Sequence, residues 1–283
     1  MTLRRATLLV SAALLTATPV AAAVAATPAV TPAATTAPAA PSTTNHFITN
    51  LHGAVAAPKR IGYTVFDSGS SSAQVAALPS GVRAMVWLGQ KCPTKADAAF
   101  RSTVTRLASS RKVFAYYLSD EPHIADCPGG PAALASRANY VRQATGGRQK
   151  SFVVLSKVED FKPFRPGVTH VSMIGLDPYP CSTANPTCDV DKINQRVAAA
   201  TAAGIPVGRV VPTYQAFGQG ATTSHYYNLP TVTQMRAMMA RWAKVVPTPP
   251  MDYTYGWGHQ SSSNPTLVDS PGLQSLFTSY FSG

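Results

Sequence analysis

Two carboxylates stand side by side at Asp120 and Glu121, closing the run Val113–Pro122, VFAYYLSDEP. Glutamate is scarce in this chain: only Glu121 and Glu159 occur. A glutamate placed behind six unbroken apolar or aromatic residues and ahead of a proline is held by the backbone rather than left on a solvated face. Carboxyls held in this way serve as general acids or bases once their surroundings tune the pKa. The plainer use of the same pair is to cap the next helix or meet an arginine. Asp177 occupies a similar position in GLDPYP, and Asp67 closes IGYTVFD. Between them, Glu121 and Asp177 form the candidate catalytic pair, with Glu121 as acid and Asp177 as base or charge stabiliser.

Around these acids the sequence sets aromatic side chains: Trp87, Tyr117, Tyr179, Tyr214, Tyr255 and Trp257. Flat ring faces of this kind stack on sugars, although Trp87 and Tyr117 read equally well as core. Burial of Glu121 among Tyr117, Tyr214 and Trp257 is expected to raise its pKa. Gln215 and Gln260 add amides able to bind hydroxyls, and Asp67 and Asp120 complete the expected binding set. His123 reads as structural. Asp189 and Asp191 lack the remaining ligands of a calcium loop, and the cysteines have no zinc-ligand spacing. Neither a metal nor a cofactor is expected. The G-x-S-x-G turn of an α/β-hydrolase does not occur.

The elements that position these residues follow from the pattern. Val113–Leu118 is apolar without alternation, which marks a strand buried on both faces, and Pro122 ends it. Further strands are expected at Ile61–Asp67, Val82–Leu88, Phe152–Ser156, His170–Asp177, Val207–Gln215 and Asp252–Trp257. Helices are expected from Thr94 to about Ser110, from Pro131 to Thr145, through DVDKINQRVAAATAAG, from Thr231 to Val246 and near Gly272–Phe281. Strand and helix alternate, which means a parallel sheet with crossovers. No glycine-rich phosphate turn follows the first strand, so a closed (β/α)8 barrel is preferred to an open doubly wound sheet. Seven strands are clear, and His46–Leu51 supplies a weak eighth at the N-terminal side.

Residues 1–26 carry Arg4 and Arg5, an apolar stretch and small-residue cleavage options, the pattern of a secretory leader. Residues 27–44 are nearly all Ala, Thr and Pro and read as an unstructured tether. The domain proper is expected at 45–283. No later stretch is long and apolar enough to span a bilayer, so a secreted protein, and a monomer, is expected. Net charge is +12, or +10 once Arg4 and Arg5 leave with the leader. That balance favours anionic polymers outside the cell as partners. The basic residues are scattered singly, which argues against nucleic acid. Four cysteines in an exported chain point to disulfides. Of three pairings the preferred one joins Cys181 to Cys188, a short loop closure, and Cys92 to Cys127, which would rise from neighbouring strand ends.

Read together, SDEP at Ser119–Pro122, GLDPYP at Gly175–Pro180, YQAFG at Tyr214–Gly218 and YGWG at Tyr255–Gly258 resemble the (β/α)8 glycoside-hydrolase superfamily, most closely secreted bacterial hydrolase-like barrels. The resemblance covers Ile61 to the end. It implies that Glu121, in the place of the superfamily's fourth-strand Asn-Glu-Pro glutamate, is the general acid. It implies a secreted enzyme, or a hydrolase-like protein, acting on an extracellular carbohydrate. One position departs from the pattern: Gln215 stands where retaining members carry a glutamate nucleophile, and an amide cannot serve as one. The expected outcome is an inverting pair, Glu121 and Asp177 with a water between them, or a carbohydrate- or wall-binding barrel without turnover.

Overall fold

Eight short strands, each one flanked by a turn that sends the chain back along the outside, close on themselves in chain order. The structure is a computed structural model and describes residues 43–220 and 225–283. The strands are β1 (His46–Ile48), β2 (Val65–Ser68), β3 (Arg83–Trp87), β4 (Val113–Asp120), β5 (Lys150–Leu155), β6 (Met173–Leu176), β7 (Val210–Gln215) and β8 (Asp252–Tyr255). All neighbours are parallel, and β1 pairs with both β2 and β8, so the barrel is closed. The expected (β/α)8 barrel is the one found, and the weak first strand at His46–Leu51 is its closing member.

The helices are α1 (Ala56–Ile61), α2 (Ser72–Ala76), α3 (Ala98–Leu107), α4 (Gly130–Thr145), α5 (Val158–Phe164), α6 (Pro166–Thr169), α7 (Asp191–Ala202), α8 (Val232–Val245) and α9 (Pro271–Ser282). Three boundaries differ from the sequence reading. Ile61 ends α1 rather than opening a strand, because Gly62 takes a left-handed conformation (φ 116°) that caps the helix. Helix α3 is capped by Asp97, whose carboxylate accepts from the Phe100 amide at 2.8 Å, and not by Thr94. Helix α5 escapes the sequence pattern because it is short and carries Pro163.

Alternation along each strand divides the core in two. Phe47, Met85, Tyr117, Phe152, Met173, Val211 and Tyr253 fill the barrel interior. Ile48, Phe66, Val86, Tyr116, Leu118, Val153 and Ile174 pack outward beneath the helices. Gly175 on β6 leaves room for this interior: a Cβ there would come within 3.0 Å of the Phe152 ring and 2.9 Å of Val154. At the seam, the His46 imidazole meets Asp252 at 2.8 Å and stacks on Phe281 of α9 with ring centroids 3.9 Å apart.

The expected leader and residues 27–42 of the expected tether lie outside the described residues. Thr43 and Thr44, which the sequence reading placed in the tether, contact the barrel: Thr43 is buried and the Thr44 carbonyl accepts from the Thr64 hydroxyl at 2.7 Å. Both expected disulfides are present, Cys92–Cys127 with Cα atoms 5.3 Å apart and Cys181–Cys188 at 4.1 Å. Among the described residues no helix is long and apolar enough to cross a membrane.

Candidate active site at the carboxyl mouth of the barrel

Parallel strands deliver all their carboxyl ends to one rim, so the residues that follow β2, β4, β6 and β8 meet there. Strand β4 ends at Asp120. The next residue, Glu121, has φ 46°, while its amide still donates to the Val154 carbonyl at 3.1 Å. A left-handed conformation is unfavourable for a residue with a Cβ, and its occurrence beside a cleft marks a position where the backbone is bent to place a side chain. The bend also breaks strand alternation. Asp120 and Glu121 would point apart on a continuing strand; instead they face adjoining pockets of the same mouth. Tyr179, after β6, is bent in the same way, with φ 35°.

Asp177 follows β6 and is buried, and neither of its oxygens meets a hydrogen-bond donor among the described residues. What it meets is the carboxyl of Glu121. Burial first, then the Glu121 contact and charge, then the charge of Asp120, push the Asp177 carboxyl well above its ordinary range. A carboxyl buried beside a second acid is disfavoured in its charged form, which holds Asp177 toward its protonated form.

Glu121 and Asp177 line a cavity of about 490 Å³ together with His123, Tyr179 and Tyr227. His123 is fixed from behind: its Nδ1 lies 2.8 Å from the buried Asp160 carboxylate, whose second oxygen accepts from the Ile124 amide at 2.8 Å. The far wall carries Lys157, Lys192 and Arg196. A second cavity of about 260 Å³ adjoins it, lined by Asp67, Asp120, Trp87, Tyr117, Tyr255 and Gln260. The Tyr179 and Tyr255 rings, 6.3 Å apart, stand between the two.

In the second cavity Trp87 is 46 % exposed and leans edge-on against Tyr117 at 4.7 Å. It is a surface platform, not core. The Tyr117 hydroxyl donates to Asp120 at 2.6 Å. Asp67 accepts from the Asn50 amide at 3.0 Å, yet burial outweighs that bond and pushes its pKa up to about 6. Burial and the charge of Glu121 also raise Asp120, against the Tyr117 hydrogen bond. Gln260 reaches the Tyr255 hydroxyl.

Three expected site residues lie elsewhere. Gln215 is fully buried: its Oε1 accepts from the Cys181 amide at 3.0 Å and its Nε2 donates to the Cys181 and Asn228 carbonyls at 2.9 and 3.0 Å. With every polar atom committed to backbone it anchors the disulfide loop and has no face for a hydroxyl. Tyr214 points outward under the helices, its hydroxyl 3.2 Å from that of Tyr280. Trp257 is 3 % exposed and belongs to the same outer layer. The direction of Tyr214 follows from strand alternation, which the sequence reading did not apply at the rim; Trp257 lies past the end of β8, where alternation no longer holds. In the other direction, Asn50, Lys157, Lys192, Arg196, Tyr227 and Tyr253 line the mouth without having been singled out. Tyr253 had a signal, because it alternates inward on β8; the basic residues sit on loops and helix starts with none. Among the described residues no cluster of His, Cys, Asp or Glu could hold a metal ion.

No family model matches the chain, and no curated protein matches it. Solved structures do. A GH128 (subgroup I) endo-beta-1,3-glucanase from Amycolatopsis mediterranei, in complex with laminaritriose, is 12% identical with a TM-score of 0.53, covering 83% of this chain and 98% of its own. A chitinase from Rhizomucor miehei is 10% identical with a TM-score of 0.54, covering 83% and 99%. The C-terminal domain of a putative chitinase from Desulfitobacterium hafniense is 9% identical with a TM-score of 0.55, covering 87% and 100%. At these identities the likeness is one of fold: the chain shares its eight-stranded barrel with structures of glycoside hydrolases.

Proposed function

We propose that the protein is a secreted glycoside hydrolase acting on an extracellular carbohydrate, with Glu121 as general acid. The observation that carries this reading is the Glu121–Asp177 pair, which lines one cavity at the open mouth of the barrel with Glu121 close enough to raise the Asp177 pKa. Burial and the neighbouring acid favour the protonated form of Asp177, so a proton is kept at the site. Glu121 gives that proton to the glycosidic oxygen as the C–O bond breaks and its electron pair leaves with the oxygen. The pair, now without its proton, faces the cationic sugar and stabilises it. Water adds to the sugar carbon and returns a proton to the pair. Asp177 thus serves as charge stabiliser and proton partner. Aromatic rings along the mouth, Trp87 above all, supply stacking surfaces. The leader and the positive net charge of +12 support action outside the cell, on a polymer with anionic character.

A second reading has its own observation. Gln215, where the resembled superfamily carries a nucleophile, is locked into the loop. A barrel in that state binds glycans without cleaving them. Release of reducing ends from a panel of polysaccharides separates the two. Glu121→Gln is expected to leave the fold and glycan affinity intact while lowering turnover on the order of a hundredfold or more. Hydrolysis by Glu121→Gln at the wild-type rate would remove Glu121 from the chemistry, and binding without any cleavage by the wild type would favour the second reading.

A further inference from the structure

We infer that the mouth accepts a mixed-charge glycan in one direction only: a negatively charged sugar unit against Lys157, Lys192 and Arg196 on one side of the carboxyl pair, an uncharged unit against Trp87 on the other. The inference rests on the carbohydrate reading above and adds the substrate class and its polarity.

Three cations gather in the larger cavity. Lys157 stands at the start of α5, and Lys192 and Arg196 lie four residues apart on α7, the spacing that sets side chains on one helix face. Arg196 is oriented by its bond to the Ser156 carbonyl and by the Phe161 ring, 5.9 Å from its guanidinium carbon. None of the three takes part in an ion pair among the described residues. The only acids lining that cavity are Glu121 and Asp177. Arg196, Glu121 and Asp177 all act on the Tyr227 hydroxyl, and the two lysines line the same cavity as the carboxyls.

The smaller cavity has the opposite character. It holds Asp67 and Asp120 and no lysine, arginine or histidine. With a pKa of about 6, Asp67 is charged at neutral pH. A second anion there meets repulsion from two carboxylates in a partly dry site, where such repulsion is screened least. The exposed Trp87 ring beside them suits the apolar face of an uncharged sugar. A polymer charged at every unit therefore satisfies one pocket and is rejected by the other. A neutral polymer is admitted but leaves the cations unused.

Three glycans test this: an alternating uronic acid–N-acetylhexosamine polymer, a polyuronate and a neutral β-glucan, each titrated by calorimetry and assayed for reducing ends. A fourth, with sulfate as its only anionic group, shows whether carboxylate or sulfate is the better fit. The alternating polymer is expected to bind about tenfold or more tightly than the polyuronate and the neutral glucan, the scale of one or two charge-assisted contacts. Lys157→Gln with Lys192→Gln, the first exposed and the second half-buried, is expected to erase most of that preference without changing the melting temperature. Asp67→Asn with Asp120→Asn is expected to admit the polyuronate. Equal affinity for the three polymers, or a preference that survives loss of both lysines, overturns the inference. Cleavage of the neutral glucan as fast as the alternating polymer would sink the inference and leave the hydrolase reading standing. Tight binding of the alternating polymer without cleavage would do the reverse, and binding of none would remove both.

Discussion

At Asp177 a buried carboxyl has no donor of its own and depends on its neighbour for the proton it holds. Asp177→Asn removes the carboxyl on which burial and Glu121 hold a proton. The alkaline limb of the pH–activity profile is expected to move to lower pH, because the acid form is then lost earlier, and turnover at neutral pH to fall. An unmoved limb would show that the two carboxyls titrate independently. Gln215 makes the contrasting case. Gln215→Glu restores the residue type of a nucleophile, yet the carboxylate would face two backbone carbonyls that now receive hydrogen bonds from Nε2. A buried charge opposed by acceptors is strongly destabilising. The expected result is a stability loss on the order of 3 kcal/mol, read by denaturant unfolding, with no gain in turnover. A gain would mean that the side chain reaches the cleft after all.

The elements show why some of this was legible in the sequence and some was not. Strand β4 announced itself because six apolar residues and a proline bracket it, and its carboxyl end is where Glu121 stands. The cysteine pairing followed from adjacent strands sharing a rim. What failed was the assignment of direction. Tyr214, Gln215 and Trp257 were placed at the mouth because they follow strand ends, but alternation and the overlying loop turn them away from it. Backbone bends at Glu121 and Tyr179 leave no mark in the sequence, since neither residue is a glycine. The basic wall of Lys157, Lys192 and Arg196 is assembled from α5 and α7, and only the fold brings those together. The Cys92–Cys127 bridge belongs to this scale. It closes a loop of 35 residues, so its loss by Cys92→Ser with Cys127→Ser is expected to lower stability by roughly 3–4 kcal/mol on loop entropy. The bridge also ties together the loops after β3 and β4, so glycan affinity is expected to fall with it. Unchanged affinity would show that the loop after β4 is held by Asp160 and His123 alone.

For the molecule as a whole, the carboxyls of the mouth set an unusual pH dependence. Asp67, Asp120 and Asp177 all have raised pKa values in the folded chain. The folded protein therefore binds these protons more tightly than the unfolded one, and stability falls as they are lost. For Asp67 the contribution is full below its ordinary value of 3.8 and is gone once the pH has risen through about 6. The melting temperature is expected to decline between pH 4 and about 6, the reverse of ordinary acid denaturation, and Asp67→Asn is expected to flatten that decline. A melting temperature that climbs through this range would contradict the raised values.

The seam between β1 and β8 bears on how the chain reaches this state at all. β1 is three residues long, and its partner across the seam, Asp252, comes 206 residues after His46. Such a contact closes one of the longest loops in the protein, at a cost of about 5 kcal/mol in chain entropy before any packing is gained. The first strand to leave the ribosome is thus the one that waits longest for its neighbour. Until β8 is free, the edges of β1 and β7 that it pairs with stay open, edges of the kind that other chains pair with. A protein built this way folds late and all at once, because its barrel has no means of shutting until the last strand arrives.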